Sequence, residues 1–265
     1  MKIIRQLRQK MIRELRSQIE EEVRIETERK YLAENQTGES ELMALQGQIN
    51  PHFLYNTLDS IRGQALLDGA EEIADMTEAL SAFFRYSISR KGNLVTLRDE
   101  IWNLDNYMKI QQFRFEDKFV LTKKFDCNQD VLDCYVPKMI LQPIVENAIY
   151  HGLELLEEQG KVVLRIEDTD QKLRIQIEDS GVGIPEKLLR EINAQFADTG
   201  YQPAKPVSRK SGIALKNVND RIQLYFGKEY GLFIRSVVGI GTQVDITIPQ
   251  EKNIKILDGK VRGTP

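Results

Sequence analysis

Residues 161–184 read Lys-Val-Val-Leu-Arg-Ile-Glu-Asp-Thr-Asp-Gln-Lys-Leu-Arg-Ile-Gln-Ile-Glu-Asp-Ser-Gly-Val-Gly-Ile. Stretches 161–167 and 172–178 alternate apolar and polar side chains, the period of half-buried strands. The second stretch ends in a carboxylate, Asp179, followed at once by Gly181 and Gly183. A carboxylate at a strand end, followed by two glycines, lets backbone approach a flat ligand while the carboxylate accepts a hydrogen bond from an amine. The same Asp-x-Gly-x-Gly string is also a common turn, and alone it does not choose between the two readings. Neither the P-loop nor the Rossmann glycine signature occurs, which speaks against those two kinds of nucleotide site.

Moving outward, residues 120–125, 232–237 and 244–248 alternate in the same way, and residues 139–151 and 214–226 carry helical periodicity between them. Residues 195–211 hold Gly200, Pro203 and Pro206 without any period, the composition of a mobile lid or binding loop. The C-terminal half is therefore expected to be an α/β sandwich with helices over one face of a mixed sheet. Three further pieces flank the glycine turn in order. Glu146-Asn147-Ala148-Ile149-Tyr150-His151 lies on a predicted helix; Ser211-Gly212-Ile213-Ala214-Leu215 opens another, where free N–H groups attract phosphate; Gly241-Thr242 starts the last strand.

The N-terminal half is helical. Residues 1–32 lack Gly and Pro and space Ile4, Leu7, Met11, Leu15, Ile19 and Val23 by three or four, a narrow helical stripe. Residues 2–16 are basic and the run Glu20-Glu21-Glu22 is acidic, a pattern shared by solvated coiled coils and by segments just inside a membrane. Residues 34–40 are polar enough to break the helix. The period resumes at Leu42, Leu45 and Ile49, crosses Pro51, and runs on through Leu58 and Ile61; a second helix covers 70–89 and a third 97–113. The first two form a helical hairpin, and because neither buries its stripe alone, pairing of two copies into a four-helix bundle is expected. Trp102, Tyr107 and Phe113 are expected on the packing face of the third helix. Asn50-Pro51 reads as an N-cap and first-turn pair, which puts His52 in a fresh first turn with Asn56 and Asp59 on its face. An imidazole nitrogen can accept a phosphoryl group, although spacing alone favours reading His52 as a helix-face histidine with no chemistry.

Composition narrows the class. The chain has 265 residues, 41% hydrophobic and 29% charged, enough to build a core without staples. The net charge of −3 disfavours direct nucleic-acid binding. Two cysteines, Cys127 and Cys134, with only two histidines, His52 and His151, leave no disulfide framework and no ordinary zinc site.

Taken together, Asn147, Asp179-x-Gly181-x-Gly183, Gly212 and Gly241-Thr242 resemble the nucleotide boxes of the gyrase, chaperone and histidine-kinase ATP-binding superfamily. Ile49-Asn50-Pro51-His52-Phe53-Leu54-Tyr55-Asn56 resembles the phospho-acceptor motif of LytS/YesM-type sensor histidine kinases, and Leu141-Gln142-Pro143-Ile144-Val145-Glu146-Asn147-Ala148 their first nucleotide box. The resemblance covers roughly residues 45–250 and implies ATP and Mg²⁺ as cofactors. By position it makes His52 the phospho-acceptor, with Asn56 one turn on. Asn147 becomes the Mg²⁺ ligand and Asp179 the acceptor from the adenine amine. Gly181 and Gly183 let backbone close on the nucleotide, and Gly212, with Leu215 behind it, opens the phosphate-facing helix. Thr242 backs the adenine pocket, and His151 falls at a phosphate-contacting position.

Departures from the family pattern are Ala214 for a lid glycine, Tyr150 where other members carry a basic residue, and Phe53 where many carry an acid after the histidine. Pro143 replaces the Glu with which hydrolytic members activate water, which favours transfer to His52 over hydrolysis. The implied architecture is α+β. A signal or coiled-coil helix occupies residues 1–40, a dimerisation and phosphotransfer region 41–115, an ATP-binding catalytic domain 116–252, and a tail 253–265. The implied partners are a second copy of the chain and a response-regulator receiver domain, with the full-length protein anchored in a membrane and this part on its cytoplasmic side. A net phosphatase using Asn56 to position water, and a non-catalytic ATP-binding scaffold, are the alternatives.

Overall fold

The computed structural model describes residues 51–89, 92–169, 171–197 and 211–253. The expectations for residues 1–50 lie outside the described residues, as do those for the tail beyond 253 and most of loop 195–211. The chain divides into two compact units, 1–54 and 55–265. Of the first, only residues 51–54, the opening turn of helix α1, are described.

Helix α1 (Pro51–Leu67) and helix α2 (Glu71–Ile88) are joined by a tight turn. Gly69 adopts φ +69°, and Ala70 N–H reaches Ala65 O (2.8 Å) while Gly69 N–H reaches Leu66 O (3.2 Å), the Schellman closure that only a left-handed residue permits cheaply. Within the second unit the hairpin is clamped by Arg85–Asp59 (3.2 Å) and Arg62–Glu78 (3.0 Å), while Phe83 and Phe84 of α2 are buried and meet edge to face, Phe83 also lying 6.1 Å from the ring of Tyr107. Ile61, Leu66, Leu67 and Ile73 remain exposed.

Strand β1 (Leu94–Thr96) leads directly into helix α3 (Leu97–Phe115). Thr96 caps it in a capping box with Asp99, each side chain taking the other's backbone N–H, and Glu116 ends it with φ +51°. On α3 Leu97, Leu104, Tyr107 and Met108 are buried, but Trp102 is 51% exposed: it projects from the solvent side, contrary to the expected packing face.

The strands expected from alternation in the C-terminal half are present as a five-stranded sheet. Strands β2 (Phe119–Asp126), β4 (Gly160–Thr169), β5 (Lys172–Asp179), β6 (Gly231–Val237) and β7 (Gly241–Pro249) lie in the order β2-β4-β5-β7-β6. Only β2 and β4 are parallel. The inward residues Val162, Leu164 and Ile166 of β4, Leu173, Ile175 and Ile177 of β5, and Ile246 and Ile248 of β7 are at most 1% exposed, which fixes the register because a one-residue slip would expose all of them. Short strand β3 (Tyr135–Pro137) pairs with β1 and ties α3 to the sheet's domain. Helix α4 (Gln142–Asn147) continues into a π-helical turn at Ala148–Leu153. Helix α5 (Glu186–Ala197), absent from the sequence expectations, and helix α6 (Ser211–Phe226) complete the cover over the sheet.

The helix expected over 139–151 starts three residues late. Met139 takes φ +59°, and the N–H groups of Met139, Ile140 and Leu141 are all bound to the Glu100 carboxylate of α3, so this stretch is a pinned turn and not helix.

Candidate functional site

Asp179 is the last residue of β5 and is 8% exposed. Its Oδ1 accepts Gly181 N–H at 2.8 Å, and the carboxylate also takes the backbone N–H of Thr242, its register partner on β7. Burial, opposed by these two bonds, pushes its carboxyl up to about 6. Around it the backbone is packed as closely as atoms allow. A Cβ on Gly181 would stand 2.5 Å from Gly152 Cα, and one on Gly183 (φ +72°) 2.2 Å from Val237 O. One on Gly241 (φ +142°) would lie 1.9 Å from Asp179 O. Ser236 knits the β6–β7 end of this cradle, its Oγ taking Ile184 N–H (2.8 Å) and lying 2.8 Å from Gly241 O and 2.9 Å from Thr242 Oγ1.

The π turn brings a second wall to the carboxylate. A Cβ on Gly152 would lie 3.0 Å from Asp179 Oδ1, and Gly152 O accepts Val182 N–H at 3.2 Å. An inserted π turn of this kind widens a helix just where a backbone must be re-aimed. Asn147 precedes it at the end of α4. Its Nδ2 is committed to Pro143 O at 2.6 Å, which leaves the amide oxygen as the remaining acceptor, a hard donor of the type Mg²⁺ takes. His151, in the same π turn, is exposed. Tyr150, at the position where the family pattern has a basic residue, is engaged within the protein: Arg114 of α3 donates to Tyr150 Oη at 2.8 Å, and that hydroxyl donates to Gln111 Oε1 at 3.4 Å.

The structure thus gathers Asp179, Gly181, Gly183 and Thr242 into one cradle and joins it, through Gly152, to the turn after Asn147 that carries His151. Gly212 lies in the first turn of α6 and Leu215, one turn on, is 6% exposed beneath it; α6 packs against α4. His52 lies in the first turn of α1 and is exposed, as is Asn56. Asp59, which shares their helical spacing, is engaged by Arg85. Cys134 is buried and Cys127 partly so, and burial pushes both thiols up, as expected of inert cysteines. Among the described residues no cluster of three or more His, Cys, Asp or Glu side chains could hold a metal ion.

Gly152, Arg114 and Ser236 were not visible as site residues in the sequence. The close Gly152–Gly181 approach and the Arg114–Tyr150 bond each join segments tens of residues apart, and no spacing rule links them.

Two family models match the chain. Residues 40–119 match the family model described as histidine kinase, and residues 136–252 match that of the histidine kinase-, DNA gyrase B-, and HSP90-like ATPases. The chain is 38% identical over 211 residues to the sensor histidine kinase YesM of Bacillus subtilis, covering 80% of this chain and 33% of YesM. It is 34% identical over 221 residues to the sensor protein LytS of Oceanobacillus iheyensis, covering 83% of this chain and 36% of LytS. The chain therefore spans about a third of the length of these curated relatives. Among solved structures, the catalytic domain of histidine kinase ThkA aligns with a TM-score of 0.43 at 22% identity, over 60% of this chain and 95% of that one.

Proposed function

Because the chain belongs to the histidine kinase family, we propose that it is the catalytic core of a sensor kinase that moves the γ-phosphoryl group of ATP to His52 and then to an aspartate of a response-regulator receiver domain. The observation that carries this reading is the glycine cradle at Asp179, where Gly181, Gly183 and Gly241 admit no side chain and Gly152 only a tight one, beside one buried carboxylate. A flat base fits such a cradle, and Asp179, held by the N–H groups of Gly181 and Thr242, keeps acceptor capacity for the adenine amine. Gly183 lets the loop close on the ring. The amide oxygen of Asn147 suits Mg²⁺, which when bound neutralises phosphate charge. His151 and the N-terminus of α6 at Gly212 face phosphate, with Leu215 anchoring that helix in the core.

In the transfer an imidazole nitrogen of His52 attacks the γ-phosphorus in line. A P–N bond forms, the bond to the bridging oxygen breaks with its electron pair leaving on ADP, and the ring N–H proton goes to solvent. Attack on the phosphoramidate by a receiver carboxylate then restores the imidazole. Pro143, one turn before Asn147, offers no carboxylate to activate water, which supports transfer over hydrolysis. Asn56 stands one turn after His52 as a polar neighbour of the reaction.

The same reading divides the chain into a signal helix at 1–40, a dimerisation and phosphotransfer region at 41–115, an ATP-binding domain at 116–252 and a tail at 253–265. The exposed apolar residues Ile61, Leu66, Leu67 and Ile73 support pairing of two hairpins. Among the described residues no helix is long and apolar enough to cross a membrane. The basic run at 2–16 supports a position against the cytoplasmic face of the membrane that anchors the full-length protein.

Calorimetric titration tests the nucleotide half of the proposal. Mg-ATP should bind the wild type and His52→Ala alike, and Asp179→Asn roughly ten- to hundredfold more weakly, because the amide can set a donor against the adenine amine. Selectivity for adenine over guanine nucleotides should fall as well. Unchanged ATP affinity in Asp179→Asn would remove Asp179 from the site.

A further inference from the structure

Glu100 is a carboxylate 1% exposed in the first turn of α3, and no step above uses it. Four donors converge on it. Ile140 N–H (2.8 Å) and Leu141 N–H (3.1 Å) bind one oxygen; Met139 N–H and the hydroxyl of Tyr86, in the last turn of α2, bind the other. Helix α4 has no side-chain cap of its own, and a carboxylate at that end complements its positive pole. Glu100 thus supplies from α3 the acid that α4 lacks.

The neighbouring bonds repeat the connection. Lys138 Nζ donates to Ser87 O (3.3 Å) and Ser89 O (3.0 Å) at the end of α2, and Arg221 of α6 donates to Lys138 O (2.5 Å). Asn103 of α3 reaches Gln142 Oε1 at 3.4 Å. The four residues 138–141 are therefore where the end of the hairpin, α3 and α6 all attach, and Asn147 follows them by less than two helical turns. A purely packing role would be served better by an apolar side chain, since burying a carboxylate is costly unless its donors are all in place.

We propose that Glu100 is a positioning residue that couples the C-terminal turn of α2, through Tyr86, to the start of α4 and so to the placing of Asn147. The hairpin and the nucleotide site then bias one another: a shift of the last turn of α2 loosens the turn at 139–141, and nucleotide held at Asn147 stiffens the last turn of α2, since such coupling is reciprocal. The importance of Asn147 rests on the function proposed above; the Tyr86–Glu100 link does not.

Amide hydrogen exchange on the full chain, with and without Mg-ATP, tests the coupling. In the wild type Mg-ATP should slow exchange across residues 83–89 about fivefold or more. Tyr86→Phe, which removes one oxygen and leaves Glu100 on the turn, should abolish that effect while Mg-ATP affinity stays within about twofold of wild type. Glu100→Gln turns an N–H toward donors it should accept from; it should speed exchange at 139–141 and weaken Mg-ATP about tenfold. A role in stability alone would lower the melting temperature but keep the nucleotide-dependent protection of 83–89 in Tyr86→Phe, and that result overturns the proposal. Should the wild type bind no Mg-ATP, the proposed function fails. The link is then judged without nucleotide: faster exchange at 139–141 in Tyr86→Phe upholds it, and unchanged exchange refutes it.

Discussion

Asp179 holds its charge where burial penalises it, and that has a measurable sign. With its carboxyl raised to about 6 in the folded chain from an ordinary value of 3.8, the native state binds more protons than the unfolded one between those values. Its contribution to stability is fully present below about pH 4 and is lost as pH rises through about 6. Asp179→Asn should therefore match the wild type near pH 4 and exceed it by about 2–3 kcal/mol at pH 7.5, even as it loses nucleotide affinity. Thermal melts across pH 4–8 check this; equal stability at pH 7.5 would mean that the carboxylate is not penalised. Gly152→Ala supplies a second check. Its Cβ would press on Asp179 Oδ1 at 3.0 Å, so nucleotide affinity should drop about tenfold with a stability loss of about 1–3 kcal/mol, read by calorimetry and melting. Asp179, Gly181 and Gly183 were legible because one short string holds them. Gly152 was not, because its importance arises only where the π turn meets β5.

At the level of elements, the five strands stood out because two-residue alternation survives wherever one sheet face is buried. The α5 helix did not, although Leu188, Leu189, Ile192 and Phe196 carry its period, because the run is short and its last turn falls inside the 195–211 stretch expected to be a loop. The late start of α4 could not be read locally at all: the acid that pins residues 139–141 lies about forty positions earlier, on α3. Trp102 shows the complementary error, an aromatic assigned to packing that the helix in fact turns outward. The capping box at the head of α3 offers a direct test of local reasoning. Thr96→Ala removes the acceptor for Asp99 N–H and should cost about 1 kcal/mol, a fall of about 2–4 °C in melting temperature. A loss below about 0.3 kcal/mol would show that the β1–β3 pairing holds this end of the helix without the cap.

Across the whole molecule, apolar side chains are exposed on the helical hairpin, where Leu66 and Leu67 are 55% and 83% exposed, and also around the β6–β7 turn, where Val238 and Ile240 are 63% and 70% exposed. In the four-helix pairing proposed here Leu66 and Leu67 face a second copy. The double substitution Leu66→Asp and Leu67→Asp should convert a dimer to a monomer in light scattering and leave Mg-ATP affinity within about twofold, since α1 contributes nothing to the Asp179 cradle. An unchanged dimer would move the interface elsewhere. The proposed transfer of the phosphoryl group to His52 makes a chemical claim. Incubation of the full chain with Mg²⁺ and γ-labelled ATP, followed by acid and alkali treatment and peptide mapping, reads that claim directly. The expected result is label that is lost in acid, kept in alkali, confined to the peptide containing His52, and absent from His52→Ala although that variant still binds ATP. Acid-stable label, or label that persists on His52→Ala, would contradict it.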